Sequence, residues 1–67
     1  MANTIIEYFK GGNSLDTDAG RKLVSGSDDA TMKEATEGPE VAEALLEVAN
    51  NAADPYLRRS IFKALGS

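Results

Sequence analysis

The sequence predicts an all-α domain, a small bundle of four to five short helices that ends in an antiparallel helical hairpin. Apolar residues recur at helical spacing over residues 39–66, between residues that commonly start and stop helices. Only residues 4–10 could form a strand, and no second candidate exists to pair with it. Because 67 residues are too few for two cores, residues 1–67 are expected to form one domain.

Residues 4–10 are predicted to form the first helix. Asn3 is a good N-cap residue for it. The apolar residues that fall at helical spacing are Ile5, Ile6, Tyr8 and Phe9. The pair Gly11-Gly12 then supplies a helix stop.

The second helix is predicted within residues 13–27. Leu15, Ala19 and Leu23 recur every four residues and should form its buried row. Gly20 lies inside this pattern and costs about 1 kcal/mol relative to alanine. The helix is therefore either held by packing or shorter than its pattern.

Residues 25–38 are largely polar and fit a marginal helix or an ordered loop equally well. Ser27 and Asp28 are cap residues, and Thr31 with Glu34 has the spacing of a capping box. If any part of the domain is mobile, we expect it to be this segment.

The central helix is predicted over residues 39–51, with Pro39 at its first position. Two adjacent apolar rows indicate a wide buried face, formed by Val41, Leu45, Val48 and Ala52 and by Ala42, Leu46 and Ala49. The pair Asn50-Asn51 then allows a left-handed turn.

The last helix is predicted over residues 54–66. Asp54 is its N-cap, Pro55 its first residue and Gly66 its stop. The inward residues are Leu57, Ile61, Ala64 and Leu65, with Phe62 beside them. Because the connection after Asn51 is short, the last two helices must form a hairpin or a sharp corner.

The composition excludes several classes of site and partner. The chain has no cysteine and no histidine, so it offers neither a disulfide nor the usual zinc ligands. Its formal charge of −4 disfavours non-specific contact with nucleic acid or anionic membranes. No segment reaches the length of a membrane span, and the first residues do not resemble a signal peptide. The expected location is the cytoplasm, or a virion or host cytoplasm if the gene is viral.

Residues 39–66 resemble one HEAT-type helical repeat, of the short kind found in phycobilin-lyase-like proteins. The resemblance rests on PEVAEALLEVANN as a first helix and on Asp54-Pro55, Leu57-Arg58-Arg59 and Ala64-Leu65-Gly66 in the second. It implies that Asp54 caps the second helix and that Arg58 supports stacking between repeats. It also implies a protein-binding surface without catalysis.

Asp16, Asp18 and Gly20 resemble the start of a calcium-binding loop, because alternating carboxylates can converge on one cation. An EF-hand has a glycine at its sixth position and a glutamate at its twelfth, where this chain has Arg21 and Ser27. Acidic residues at a helix start explain the pattern better. No metal or other cofactor is expected.

The central helix is predicted to carry a stripe of carboxylates. Glu40, Glu43 and Glu47 are spaced at i, i+3 and i+7, so they share one side of the helix. The simpler interpretation is a solvated face. The alternative is a row of negative charge that imitates a phosphate track and blocks the basic cleft of a nucleic-acid-binding protein.

Residues 54–67 carry a formal charge of +2 within this acidic chain. The basic residues are Arg58, Arg59 and Lys63. They could contact phosphates, with Tyr56 near the start of a recognition helix, but three bases are too few to favour nucleic-acid binding. The alternative is that Arg58 pairs with Asp54 and the others balance the helix dipole.

The aromatic residues are Tyr8, Phe9, Tyr56 and Phe62. A domain this small is expected to need most of them in its core. An exposed tyrosine would indicate an interface.

These features predict a non-enzymatic protein that binds another protein through a preformed helical surface. No histidine, cysteine or evident base is present to activate a serine, so catalysis is not expected. The predicted partner-binding residues are Glu40, Glu43, Glu47, Tyr56, Arg58, Arg59, Phe62 and Lys63. Two alternatives stay open: a self-assembling structural subunit, and an acidic inhibitor of a basic cleft.

Overall fold

The computed structural model describes residues 2–66, and Met1 and Ser67 lie outside the described residues. Five helices follow one another, and no strand occurs in the described range. Their bounds are α1 Thr4–Lys10, α2 Asp18–Ser25, α3 Asp29–Thr36, α4 Pro39–Asn51 and α5 Pro55–Leu65. The predicted all-α fold class is confirmed.

The start of α1 is fixed by one side chain. Asn3 Oδ1 accepts hydrogen bonds from the backbone N–H groups of Ile5 and Ile6, at 3.1 and 3.2 Å. Its Nδ2 donates to the Thr31 carbonyl oxygen at 3.0 Å and to Glu34 Oε1 at 2.9 Å. Asn3 therefore caps α1, as predicted, and also ties it to α3.

The chain leaves α1 through a glycine turn. Gly11 ends the helix, and Gly12 has a φ of 86°, a left-handed conformation that glycine adopts without strain. The predicted stop at this pair is confirmed. With seven residues, α1 is too short to be stable as an isolated helix, so it depends on its contacts with the rest of the domain.

Helix α2 begins later than the sequence pattern indicates. Thr17 Oγ1 accepts a hydrogen bond from the Gly20 N–H at 3.0 Å and caps the helix. Leu15 is buried from the turn before the helix, whereas Ala19 is exposed and the buried face consists of Gly20 and Val24. The predicted buried row through Ala19 is therefore wrong, and the expectation of a shorter helix is confirmed.

Gly20 is the point at which this turn meets α2. A Cβ at Gly20 would lie 2.7 Å from the Leu15 Cα and closer still to its carbonyl oxygen. Real Cβ atoms do not approach other atoms so closely, so only glycine lets the Leu15 backbone lie against the helix. The low helix propensity of Gly20 is thus offset by a packing contact that no other residue could make.

Residues 29–36 form a helix and not a loop. Asp28 Oδ1 accepts a hydrogen bond from the Thr31 N–H at 2.8 Å, so Asp28 is the N-cap. The apolar residues buried on α3 are Met32 and Ala35. The predicted capping box of Thr31 with Glu34 is wrong, because Glu34 accepts its hydrogen bond from Asn3. The mobility expected of residues 25–38 stays a prediction.

Helix α4 forms the centre of the core. Pro39 begins it, as predicted, and its buried residues are Val41, Leu45, Val48 and Ala49. Leu46 is 40% exposed, so the buried face is narrower than predicted. The chain leaves α4 with Ala52 in an extended conformation, at φ −79° and ψ 135°. No non-glycine residue in residues 2–66 has a positive φ, so the predicted left-handed turn at Asn50-Asn51 is wrong.

Helix α5 packs against α4 and α3. Asp54 caps it by accepting a hydrogen bond from the Tyr56 N–H at 2.9 Å, and Pro55 is its first residue. The buried residues are Leu57, Ile61 and Ala64, and Leu65 is half-buried. Because α5 follows α4 after only residues 52–54, the two helices form the predicted C-terminal hairpin.

The core is aliphatic and draws on all five helices. Its largest fully buried side chains are Ile5, Leu15, Val24, Met32, Leu45, Val48 and Ile61. Every buried side-chain nitrogen or oxygen in residues 2–66 has a hydrogen-bond partner. The accessible surface of 4338 Å² is close to the roughly 4100 Å² expected for a folded monomer of 7.1 kDa. The chain thus buries a core of its own.

Replacing Gly20 by alanine is expected to destabilise the domain, although alanine is the better helix former. Overpacking against the Leu15 backbone lowers the free energy of unfolding by about 1–3 kcal/mol, whereas the better helix propensity of alanine raises it by only about 1 kcal/mol. Urea unfolding followed by circular dichroism measures the net change. Gly26→Ala is the matched control, because a Cβ there meets no atom nearer than 3.4 Å. A Gly20→Ala variant as stable as this control would contradict the proposed contact.

Replacing Asn3 by alanine is expected to lower the free energy of unfolding by about 2–3 kcal/mol, because both the cap and the link to α3 are lost. Asn3→Ser keeps a capping oxygen but not the two donated hydrogen bonds, so its loss should be about half as large. The same urea titration separates the two contributions. An Asn3→Ser variant as stable as the wild type would show that the link to α3 adds no measurable stability, and equal losses in both variants would show that the capping oxygen adds none.

Candidate binding surfaces

The outer face of α5 is defined by the residues that the helix buries. Leu57, Ile61 and Ala64 face the core, so the side chains on the opposite side of the helix face solvent. The five predicted partner-binding residues of α5 are all exposed: Tyr56, Arg58, Arg59, Phe62 and Lys63. This face is available for contact with another molecule.

Three of these residues form one row, which we call the basic row: Tyr56, Arg59 and Lys63. Their spacing at i, i+3 and i+7 places them on one side of α5. Together with Asp29 and Ser60 they line a shallow cavity of about 170 Å³ between α5 and the start of α3. The basic row therefore combines one aromatic side chain with two cations at a concave surface.

One acidic residue lies beside the basic row. Asp29 Oδ2 is 3.7 Å from Lys63 Nζ, and both side chains are well exposed, so this ion pair contributes little to stability. Arg59 makes no ion pair within residues 2–66. Its guanidinium is available to a carboxylate of a partner.

Arg58 and Phe62 lie apart from the basic row. They are four residues apart and share another side of α5, and neither lines the cavity. Arg58 was expected to pair with Asp54. The Asp54 carboxylate instead accepts from the Tyr56 N–H, and Arg58 forms no ion pair in the described chain, so that expectation is wrong.

The aromatic side chains lie largely outside the core. Tyr56 is 67% exposed and Phe62 is 43% exposed, whereas Tyr8 and Phe9 are half-buried against the core. The prediction that most aromatic residues would be buried is therefore wrong for α5. Aliphatic residues fill the small interior, which leaves the side chain of Tyr56 exposed on α5.

The carboxylates of the predicted stripe are all exposed, and two of the three border concave surface. Glu40 lines a groove between α1 and the start of α4. Glu47 lines the neighbouring cavity on the same side of α4. Glu43 lines neither, because it lies further round the helix. None of the three forms an ion pair with another residue in the range 2–66.

Asp16 connects the turn before α2 to the end of α4. Its Oδ1 accepts hydrogen bonds from Arg21 Nε at 2.9 Å and from Arg21 Nη2, and its Oδ2 accepts from Asn51 Nδ2 at 2.9 Å. The hydrogen bond from Asn51, followed by those from Arg21, holds the pKa of Asp16 below its ordinary value of 3.8. Asp16 is thus part of a structural link.

The calcium interpretation finds no support in this geometry. Both carboxylate oxygens of Asp16 accept hydrogen bonds from protein donors. Asp18 is the first residue of α2, where a negative side chain interacts favourably with the helix dipole. Residues 2–66 contain no group of three acidic, histidine or cysteine side chains placed to hold a metal ion.

The grooves beside Glu40 and Glu47, and the link from Asp16 to Asn51, were not predicted from the sequence. Asp16 and Asn51 are 35 residues apart, and the groove walls come from α1 and α4. A single sequence gives no signal for such long-range pairs. The nearest signal in the sequence is that polar and apolar residues are mixed within α1.

No helix within residues 2–66 is both long and apolar enough to span a membrane. Comparison of the chain with protein-family models, with curated proteins and with solved structures gives no match. The HEAT-type resemblance of residues 39–66 therefore stays a prediction.

Asp16 is expected to make stability depend on pH in the acid range. Its pKa is lower in the folded than in the unfolded state, so its contribution is present above the ordinary value of 3.8. That contribution is lost as the pH falls through the lower folded-state pKa. The Tm of the wild type should therefore exceed that of Asp16→Asn near neutral pH, and the difference should shrink below about pH 4.

Thermal unfolding followed by circular dichroism across this pH range gives the measurement. Asp28→Asn is a positive control: the pKa of Asp28 is also lowered, through its hydrogen bonds with Thr31, so its Tm difference from the wild type should shrink over the same pH range. A Tm difference between wild type and Asp16→Asn that stays constant down to the lowest pH would contradict the role given to Asp16.

Proposed function

We propose that the protein binds another protein through the basic row of α5, and that this partner presents carboxylates beside an apolar contact surface. The observation that supports this most strongly is the exposure of Tyr56. Its side chain remains 67% exposed although the core is already filled by aliphatic residues. Tyrosine and arginine are the residue types most enriched among the side chains that dominate binding energy.

The charge of the basic row defines the chemistry of the partner. Arg59 and Lys63 are cations on the surface of a chain with a formal charge of −4. A positive patch on a negatively charged protein orients an approaching partner and favours one with local negative charge. Arg59 can bind a carboxylate through two parallel hydrogen bonds, which adds geometric selectivity.

Imitation of nucleic acid is less well supported by the geometry. Glu40 and Glu47 are separated by about 10.5 Å along α4, and Glu43 lies off their line. Duplex DNA presents about six phosphate charges over the same length. Three carboxylates over that length are a poor copy of that density, so an inhibitor of a basic cleft is not the function that we propose.

A second copy of the chain is the competing occupant of the basic row. The acidic side of α4 is complementary to it in charge. However, the chain buries its own core and has the accessible surface of a monomer, so the fold does not require such contacts. Sedimentation equilibrium over a wide concentration range distinguishes the two cases: we expect a constant molar mass near 7.1 kDa.

The Tyr56→Ala variant is expected to bind the partner about 30-fold more weakly than the wild type, because a central aromatic anchor contributes about 2 kcal/mol. The partner would first be captured from an extract with the immobilised wild-type chain, then purified and titrated by isothermal calorimetry. Arg59→Ala should weaken binding as well, and more strongly at low salt.

Arg58→Ala is the matched control for Arg59→Ala. The two arginines are adjacent in sequence and chemically identical, but only Arg59 belongs to the basic row. We expect Arg58→Ala to bind as the wild type does. Equal losses from both arginine variants, or an unchanged affinity in Tyr56→Ala, would contradict the proposed surface. A dimer that dissociates in Tyr56→Ala would replace the foreign partner with a second copy.

A further inference from the structure

A second surface lies away from α5, in the angle between α1 and α4. It is an open groove of about 580 Å³, more than three times the volume of the cavity beside the basic row. Its apolar walls come from Ile6 and Phe9 on α1 and from Pro39 and Val41 on α4. Ile6 and Phe9 are only half-buried, so the groove exposes apolar surface that the core does not cover.

A second cavity of about 360 Å³ lies next to the groove and shares Phe9 with it. The second cavity is lined by residues 12–16 of the loop after α1 and by Ala44 and Glu47 of α4. We call the combined surface the α1–α4 trough, defined by Ile6, Phe9, Pro39, Val41 and Ala44. The trough thus follows one side of α4 over roughly two helical turns.

The edge of the trough along α4 is negatively charged. Glu40 lines the first groove and Glu47 the second, and their spacing at i and i+7 places them about 10.5 Å apart on the same side of the helix. Neither is neutralised by an ion pair within the described residues. Lys10, at the end of α1, is the one cation that lines the first groove.

We propose that the α1–α4 trough binds a basic amphipathic helix of a partner protein. An apolar groove beside charged residues matches the mode in which a helix places its apolar face in the groove and its charged side chains along the rim. On such a helix, residues i and i+7 are also about 10.5 Å apart, so two lysines or arginines would face Glu40 and Glu47 together. This proposal does not depend on the binding function of α5.

The helix mode is favoured over strand addition by the fold itself. Residues 2–66 contain no strand, so the described chain has no sheet edge to which an extended peptide could add. The trough also explains why Glu40 and Glu47 differ from Glu43. The first two border apolar surface, whereas Glu43 faces solvent away from the trough.

Two synthetic peptides test the proposal. Both have about 16 residues, enough to form an amphipathic helix on binding, and carry leucine at positions i, i+3, i+4 and i+7. One has lysine on its polar face and the other has glutamate. Fluorescence anisotropy with the full chain should show that the lysine peptide binds at least about tenfold more tightly at low salt, with the preference decreasing as salt is added.

The double variant Glu40→Gln/Glu47→Gln should weaken binding of the lysine peptide about fivefold, since two rim charges are lost. Glu43→Gln is the matched control and should change affinity less than about twofold. All three residues are exposed, so the variants are expected to fold as the wild type does. Backbone amide shifts in NMR spectra should change at Phe9, Val41 and Ala44 and stay constant at Arg59.

Three binding results would overturn the proposal. They are an absence of binding by the lysine peptide, an equal affinity for both peptides, and an equal loss in Glu43→Gln and the double variant. Amide shifts confined to α5 would likewise assign the peptide to the basic row and leave the trough without a ligand. The basic-row variant Tyr56→Ala separates the two surfaces, because it should not alter binding at the trough.

Discussion

The position of α1 depends on the side-chain amide of Asn3. Its oxygen satisfies two N–H groups at the start of the helix, and its nitrogen donates both hydrogens to α3. A helix of seven residues cannot supply its own stability, so this double role largely determines whether α1 is formed and where it lies. The same contact, together with the buried Ile5, helps to place the half-buried side chains of Ile6 and Phe9 that form the α1 wall of the α1–α4 trough.

Much of the fold could be predicted from the sequence because its signals act over short distances. Asn3, Asp28 and Asp54 are N-caps, and Pro39 and Pro55 begin the last two helices, as their residue types favour. The wrong buried row of α2 has a physical cause. Leu15 is buried from a turn and not from a helix, because Gly20 lets two backbones approach more closely than any periodic pattern reveals.

The candidate surfaces were predicted only in part. The charges and aromatic residues were visible in the sequence, but their grouping was not, because it depends on which side of each helix the core occupies. Arg58 and Arg59 are adjacent in sequence and lie on different sides of α5. Glu40 and Glu47 border concave apolar surface because α1, about 30 positions away in sequence, packs beside them.

The link from Asn3 to Thr31 spans 28 positions, whereas α4 and α5 are joined by three residues, and this difference bears on how the domain opens. Closing a long loop costs more chain entropy than closing a short one, and α1 has only seven residues with Ile5 as its buried side chain, so we expect α1 to be the first element to detach in local unfolding. Such an opened state would lack the trough but keep the basic row. A ligand in the trough would therefore hold the N-terminus in place, whereas a ligand on α5 would tolerate its release.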